Sequence, residues 1–318
     1  MKYNVFFIVI CLVASFSGVA AEKTTLHIGV QTTGTVEWEL SAIQSEPTVD
    51  FQLDIQRLAN PEAGKIALQS GAVDMIVSDW IWVSSLRATG ADFTFYPYSS
   101  TSGALLVPES SAIKTINDLK GKRLGIAGGE LDKNWLLLQA LAKQKQLDLN
   151  TSVEKTFGAP PLLNEQIKQN RIDALLTYWH FAARLESQGY RQVIDGKGIL
   201  KGLGLAENMP VLGYVFKQSW AANNKQALNN FLKASQRAKN QLCTSDVVWQ
   251  KVLPLTKADD AATQIKLRQG YCEGRVERWG SQEQKAAARI YTILRASSNS
   301  RLTGHSENLQ PGTFWSTE

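Results

Sequence analysis

A short pattern occurs twice in this chain, and the repeat constrains the fold more than any other feature. The first copy runs from Ala72 to Trp82 and the second from Arg171 to Phe181. Equivalent residues are 99 positions apart throughout, as Asp74 and Asp173 are. Each copy is a turn followed by a short apolar run, which is typical of a strand buried on both faces of a parallel sheet. The repeat therefore predicts two similar α/β lobes.

The residues that directly follow these two strands are candidate ligand-binding groups. In an open α/β sheet, ligands bind beyond the carboxyl ends of the strands. The first strand ends in Ser78, Asp79 and Trp80, and the second in Thr177, Tyr178, Trp179 and His180. A location of the tryptophans in the core remains an open alternative. We expect Asp74 and Asp173 to hold the turns before the strands, which is ordinary aspartate chemistry.

The turn after the first strand of each lobe is the second source of candidates. The pattern predicts a strand over Thr24 to Val30 and a helix from Val36 towards Gln44, with Thr35 as its N-cap. In the second lobe, Gly128 and Gly129 precede a helix predicted over Leu131 to Lys145. Free N–H groups at such helix starts point towards the cleft.

The chain is expected to cross between the lobes twice. The small residues from Ser99 to Gly103 suit one crossover, and Asn208 to Pro210 suit the other. We therefore predict a first lobe of residues 22–101 plus 211–318 and a second lobe of residues 102–210. Beyond the returning strand, predicted over Val211 to Phe216, the predicted elements are the helices Asn224–Lys239, Ser245–Val252, Ala258–Gln269 and Gln282–Ala296, followed by a loosely held tail from Ser297.

The predicted ligand-binding residues share a position at a strand end, a helix start or a crossover. They are Gln31, Thr32, Thr33, Thr35, Glu37, Trp38, Ser78, Asp79, Trp80, Ser100, Thr101, Gly128, Gly129, Glu130, Trp135, Thr177, Tyr178, Trp179 and His180.

Residues 1–21 are predicted to be a secretory signal peptide. Lys2 precedes an apolar stretch, and small residues lead up to Ala21. We therefore expect a soluble protein exported to the periplasm. Cys11 would leave with the leader, so Cys243 and Cys272 remain, and an even pair in an oxidising compartment indicates one disulfide. Two buried thiols are the alternative.

Composition and motifs predict neither a nucleic-acid partner nor catalysis. The 34 Lys and Arg residues are interspersed with 29 Asp and Glu residues instead of forming a basic run. None of the three histidines, His27, His180 and His305, has a partner at metal-ligand spacing. The sequence contains no nucleophile elbow, phosphate loop or dinucleotide fingerprint. We expect a binding protein without a metal or cofactor, not an enzyme.

Three motifs carry a resemblance to a known family. They are L-x-S-G-x-V-D-x-I from Leu68, I-N-D-L-K-G-K-R-L-G-I from Ile116 and I-D-A-L-L-T from Ile172. With the helical carboxyl-terminal region, the chain resembles the periplasmic solute-binding proteins of ABC importers, in particular the nitrate/sulfonate/taurine/thiamine-precursor group. The resemblance implies a type II periplasmic binding protein fold: two Rossmann-like lobes that are joined by a two-segment hinge. It also implies a monomer that delivers a small molecule to a membrane permease and its ATPase, but it does not identify the ligand.

Two other functions remain open. An exported enzyme on the same fold would resemble chorismate dehydratase, with His180, Asp79 and Glu130 as acid/base candidates for lyase-like chemistry. A periplasmic partner protein that takes no part in transport is the other alternative.

The residue types at the strand ends predict the ligand's charge. Carboxylates (Glu37, Glu39, Asp79, Glu130 and Asp132) outnumber the nearby cations Arg57 and Lys133, and aromatic rings (Trp38, Trp80, Trp135, Tyr178 and Trp179) cluster at the same ends. Rings bind flat groups and cations. We therefore predict a neutral or cationic ligand with a flat or amine-bearing part, in place of nitrate, sulfate or a simple sulfonate. Alternatively, the carboxylates only stabilise their own helices.

Overall fold

The computed structural model describes residues 23–46, 50–205 and 209–316. The predicted signal peptide and Asn208 of the second predicted crossover lie outside these residues. The described part of the chain forms two five-stranded sheets flanked by helices, as the repeat predicted.

The elements are given in chain order. The first group is β1 Thr24–Gln31, α1 Val36–Gln44, β2 Phe51–Leu58, α2 Pro61–Ser70, β3 Met75–Asp79, α3 Trp80–Arg87 and β4 Phe93–Ser99. The second is β5 Gly103–Pro108, a 3-10 turn Ile116–Leu119, β6 Arg123–Ala127, α4 Lys133–Gln144, α5 Leu149–Ser152, β7 Glu154–Gly158, α6 Pro160–Lys168, β8 Ala174–Tyr178, α7 Trp179–Glu186, β9 Tyr190–Asp195 and α8 Gly196–Gly202. The third is β10 Leu212–Lys217, α9 Gln218–Asn223, α10 Lys225–Thr244, α11 Asp246–Thr256, α12 Ala261–Glu273 and α13 Ser281–Ser297.

The two sheets have equivalent strand orders. The first is β2-β1-β3-β10-β4 and the second is β7-β6-β8-β5-β9. Strand β1 pairs in parallel with β2 and β3, and β6 does so with β7 and β8. Strands β10 and β5 run antiparallel to their neighbours because each enters its sheet directly from a crossover and not through a helix. Each sheet is therefore mixed, with one antiparallel strand.

The two repeated aspartates each join neighbouring strands within one sheet. The backbone N–H of His27 donates to Asp74 Oδ2 at 2.8 Å, and that of Arg123 donates to Asp173 Oδ2 at 2.9 Å. Each aspartate N–H in turn donates to the carbonyl of the same partner residue at 2.8 Å. Both aspartates therefore have the structural role that the sequence predicted, at the point where β1 meets β3 and β6 meets β8.

The carboxyl-terminal region contacts both sheets' helices. Helices α10 and α11 pack against α1 of the first sheet, while α12 packs against α7 and α13 against α4 of the second sheet. The sulfur atoms of Cys243 and Cys272 are bonded at 2.05 Å, which joins the end of α10 to α12. Across the described ranges, no helix is both long and apolar enough to cross a membrane.

The prediction of a loosely held tail is wrong. The backbone N–H of Phe95 donates to the Thr313 carbonyl at 2.8 Å, and that of Trp315 donates to the Phe95 carbonyl at 2.9 Å. Phe314 packs its ring against Trp80 and Trp279. Strand β4 lies at the edge of its sheet, and the tail covers part of that edge by bonding to Phe95.

Candidate functional site

Two contacts join the carboxyl ends of the two sheets. The carboxylate Oδ2 of Asp79, at the end of β3, lies 2.8 Å from Nζ of Lys133, which begins α4 beyond β6. The backbone of Thr33, beyond β1, acts on the ring of His180, beyond β8, closely enough to raise its pKa. We use the term inter-sheet cleft for the region between the carboxyl ends of the two sheets that contains Thr33, Asp79, Asp132, Lys133, Tyr178 and His180.

Asp79 is held in position by both of its oxygens. Oδ1 accepts a hydrogen bond from the Trp82 N–H at 2.9 Å and so caps helix α3, while Oδ2 pairs with Lys133. Burial alone would raise the pKa of Asp79, but the Lys133 ammonium outweighs it and the pKa is lowered. Burial alone would also lower the pKa of Lys133, and the carboxylates of Asp79 and Asp132 raise it instead. Both groups are therefore charged at neutral pH.

A glycine turn brings Asp132 and Tyr178 together. Gly128 has a φ of 88°, and a Cβ at this position would lie 3.0 Å from the Tyr178 hydroxyl. Asp132 caps α4 by accepting a hydrogen bond from the Trp135 N–H at 3.1 Å, and its carboxylate acts on the Tyr178 hydroxyl. Burial raises the pKa of Asp132, and burial together with Asp132 raises that of Tyr178. The phenol therefore stays protonated and supplies a polar group to the cleft.

His180 supplies a neutral imidazole. Burial, reinforced by the Arg184 guanidinium, lowers the pKa of His180 to about 4, although the Thr33 backbone opposes this shift. Its Nε2 atom is buried and has no hydrogen-bond partner among the described residues. An unpaired buried polar atom is unfavourable, so this nitrogen is suited to bonding a ligand.

Three of the predicted aromatic residues do not face the cleft. Trp38, Trp80 and Trp135 are at most 2% exposed. Trp38 packs on Trp249 and Tyr271, Trp80 donates its indole N–H to the Pro210 carbonyl at 3.1 Å, and Trp135 packs on Phe157. We therefore remove these rings from the candidate site. Ser78 and Thr177 are buried at the strand ends, and Thr177 Oγ1 has no hydrogen-bond partner among the described residues. Each of these tryptophans lies in the first turn of its helix (α1, α3 or α4), and its indole ring points into a hydrophobic core.

Other predicted residues gather at the first crossover, away from the Asp79–Lys133 pair. Ser100, Thr101 and Trp179 line a cavity of about 80 Å³ with residues of α7 and α12. A Cβ added to Gly270 would lie 2.8 Å from the Trp179 ring. Trp179 therefore packs against α12 as well as against Trp38.

Most of the carboxylates used to predict the ligand's charge are occupied by other groups. Glu37 pairs with Arg57, and the exposed Glu130 pairs with Arg301 at 3.2 Å. Glu39 is fully buried, where Tyr214 and Tyr271 each donate to it at 2.9 Å. Of the five carboxylates, only those of Asp79 and Asp132 border the cleft. The other three, on α1 and in the turn at Gly129, point away from it.

Sequence reasoning missed three cations near the cleft. Lys65 acts on the Asp79 carboxylate, and Arg184 acts on His180. Lys257 Nζ lies 3.5 Å from the Thr32 carbonyl, and Arg184 donates to the Lys257 carbonyl at 3.2 Å. Arg184 could have been found, because it lies one helical turn after His180, whereas nothing in the sequence around Lys257 indicates its location.

The three acid/base candidates have separate partners. Asp79 pairs with Lys133, Glu130 with Arg301 and His180 with Thr33. The remaining predicted residues, Gln31, Thr32, Thr35 and Gly129, lie in the two turns, and the Gly34 N–H closes the first turn by donating to the Gln31 carbonyl at 2.9 Å. Thr35 occupies the N-cap of α1 without a side-chain hydrogen bond to the helix.

Comparisons with known proteins agree with this architecture. The model of the NMT1/THI5-like family matches residues 49–244. The chain is 32% identical over 135 residues to an aliphatic sulfonates-binding protein of Escherichia coli (strain K12), a match that covers 41% of each chain. It is 32% identical over 111 residues to a histidine-binding protein of Campylobacter jejuni, covering 35% of this chain and 39% of the relative. These matches span less than half of either relative.

Among solved structures, the fold is similar to that of the periplasmic aliphatic sulphonate binding protein SsuA from Escherichia coli. The TM-score is 0.74 at 19% identity, and the match covers 93% of both chains. The similarity extends over nearly the whole described chain, and it confirms the two-lobed fold that the sequence predicted.

Proposed function

This chain belongs to the NMT1/THI5-like family, and on that basis we propose that it is the extracytoplasmic substrate-binding component of an ABC importer. It captures a small molecule in the inter-sheet cleft in the periplasm and delivers it to a permease and its ATPase. The observation that carries the proposal is the pair of contacts across the cleft, Asp79 with Lys133 and Thr33 with His180. Such contacts can break and re-form while both sheets stay intact, as lobe closure over a ligand requires.

The two lobes of the proposed device are residues 22–101 plus 211–318 and residues 102–210. Sheet membership supports this division, because β1 to β4 and β10 form one sheet and β5 to β9 the other. The two crossovers lie side by side, with the Val211 N–H donating to the Ser99 carbonyl at 3.0 Å. Adjacent crossovers are where a hinge between the lobes would act.

The ligand is proposed to be neutral or cationic, with a flat or amine-bearing part. Support now comes from Asp79 and Asp132 as anionic groups and from the Tyr178 and His180 rings, whose planes are 28° apart. One relative named above binds histidine, which has both a ring and an amine. The other relative is named for aliphatic sulfonates, which are anions, so anionic compounds are also included in the binding experiment.

A melting-temperature screen with a broad metabolite library tests the proposed function. A ligand at about 100 times its Kd stabilises the folded state by about 2.7 kcal/mol, which raises the melting temperature measurably. Small-angle scattering on each hit should show a more compact particle. Lys133→Met should change the affinity for the hit, weakening the binding of an anionic group and strengthening that of a cationic group, whereas Glu130→Gln, which alters an exposed pair, should leave the affinity unchanged. A library without any stabilising compound would remove most of the support for this function.

The enzyme alternative has a separate test. Turnover of a bound hit, abolished by His180→Gln while binding persists, would favour it. The separate partners of His180, Asp79 and Glu130 argue against concerted acid/base chemistry. Hits that bind and stay chemically unchanged over hours would agree with a binding protein.

A further inference from the structure

The Asp79–Lys133 pair has a consequence for what can enter the cleft. We propose that the ligand is a compact zwitterion, with an anionic group that binds Lys133 and an ammonium group that binds Asp79. This inference rests on the proposed function and names the charges of the ligand that the cleft takes.

A ligand that reaches the strand ends meets the ion pair between Asp79 and Lys133, which is already formed. The Asp79 side chain is 9% exposed, the Lys133 side chain is 34% exposed, and their charged atoms are 2.8 Å apart. The other Asp79 oxygen is committed to the Trp82 N–H. The ligand therefore either separates the two charges or stays outside them.

A ligand with one charge would leave one member of the pair without its hydrogen-bonded partner. An anion that takes Lys133 leaves Asp79 with Lys65 as the other cation acting on it, and Lys65 is bound to Glu62 at 2.9 Å. A cation that takes Asp79 leaves Lys133 with the charge of Asp132, whose carboxylate already accepts a hydrogen bond from the Trp135 N–H. Asp79 is the more buried member of the pair, so the loss of its counter-charge is the larger cost.

A ligand with both charges restores both partners. Its anion replaces Asp79 at Lys133, and its ammonium replaces Lys133 at Asp79, so two ion pairs form where one was broken. Because the two protein charges begin in contact, the two ligand charges must also be near each other. Amino carboxylic acids and aminosulfonic acids have this arrangement.

The neutral groups of the cleft suit the rest of such a ligand. The Tyr178 phenol and the His180 imidazole are both uncharged at neutral pH, and His180 Nε2 has no partner in the described part of the chain. Neither ring adds a net charge to the site. The balance of charge in the cleft is therefore set by Asp79, Asp132 and Lys133, with Lys65 and Arg184 close by.

Calorimetry with matched probe sets tests the inference on the intact exported protein. Each set contains a zwitterion, the amine without its acid and the acid without its amine. The three sets are histidine, histamine and imidazolepropionate; phenylalanine, phenethylamine and phenylpropionate; and taurine, ethylamine and ethanesulfonate. We expect the zwitterion of at least one set to bind at least about 100-fold more tightly than both partners, a difference of two tenfold steps in Kd. The third set distinguishes aminosulfonates from amino carboxylates.

Two variants determine whether the ion pair causes this preference. Asp79→Asn should weaken the binding of the zwitterion. It should also reduce the ratio between the Kd of the acid-only probe and that of the zwitterion, because the acid-only probe no longer deprives a carboxylate of its partner. Lys133→Met should in the same way reduce the ratio between the Kd of the amine-only probe and that of the zwitterion. A merely structural role would weaken all three probes alike. Glu130→Gln is the matched control and should leave all affinities unchanged.

The possible results separate this inference from the proposed function. If a singly charged member of any set, or a singly charged hit from the metabolite library, bound the cleft most tightly, the zwitterion inference would be overturned while the importer function stood. If no compound bound at all, both would be overturned. Should Asp79→Asn fail to fold, Lys133→Met alone carries the comparison, because its side chain is partly exposed at the start of a helix.

Discussion

Trp80 and Trp179 occupy the same position in the two copies of the repeat, yet their surroundings differ. Each is the first residue of the helix that follows a central strand, α3 in one case and α7 in the other. Trp80 is fully buried and donates its indole N–H to the carbonyl of Pro210, at the second crossover. Trp179 is only partly buried and packs between Trp38 and α12. The repeat therefore supplies one side chain to the second crossover and the equivalent one to the contact with the carboxyl-terminal helices.

Trp80→Phe should lower the free energy of unfolding by about 2 to 4 kcal/mol, because it removes buried volume and leaves the Pro210 carbonyl without its donor. Urea denaturation measures the change. The matched control is Trp179→Phe, which deletes no hydrogen bond seen in the described part of the chain and should cost about 1 kcal/mol or less. Equal losses in the two variants would contradict the contact between Trp80 and Pro210.

A buried charge cluster under α1 gives a second prediction. Glu39 lies 3.6 Å from Lys239, accepts hydrogen bonds from two tyrosines, and is fully buried. Glu39→Gln should lower the free energy of unfolding by about 3 to 5 kcal/mol, because it leaves the buried Lys239 ammonium without its counter-charge. Thermal and urea denaturation measure it.

Glu37, two residues earlier, is the matched control for Glu39. Its partner Arg57 is largely exposed, so Glu37→Gln should cost about 1 kcal/mol or less. The double variant Glu39→Gln with Lys239→Met should recover part of the loss. A Glu39→Gln variant as stable as Glu37→Gln would show that the buried pair does not form.

The repeat allowed much of the fold to be predicted. The offset of 99 positions also relates Pro61 to Pro160, which begin α2 and α6, so the similarity continues upstream of the matched strands. Local patterns are enough for this, because a strand, its following helix and their boundaries depend mainly on neighbouring residues.

The environment of individual side chains could not be predicted in the same way. Trp80 is buried by contact with Pro210, Glu39 is matched by Lys239, and Phe95 is paired by the tail. Each partner lies more than a hundred positions away, and no local pattern distinguishes a first-turn indole that faces a cleft from one that faces the core. The carboxylates were misjudged for the same reason, since their partners Arg301 and Arg57 come from other elements.

Removing the disulfide should destabilise the carboxyl-terminal helices. Cys243 and Cys272 are 29 positions apart, and the chain-entropy model gives about 3 to 4 kcal/mol for closing a loop of this length. The variant Cys243→Ser with Cys272→Ser should therefore unfold at a lower urea concentration. Intact mass of the exported parent protein should be two hydrogens below its reduced value. Free thiols that titrate in the native protein would refute the bond.

His180 should make stability depend on pH between about 6.5 and 4. Its folded pKa is about 4, below the ordinary value of 6.5, so the unfolded chain binds a proton more readily. The neutral imidazole therefore makes its full contribution to the free energy of unfolding above about pH 6.5. This contribution, on the order of 3 kcal/mol, is lost as the pH falls towards 4. Urea denaturation at pH 7.5, 6 and 4.5 should show a steeper loss in the parent than in His180→Gln, so that subtracting the two curves cancels the other titrating groups. Identical slopes in the parent and His180→Gln would mean that the imidazole is hydrated and not held between Thr33 and Arg184.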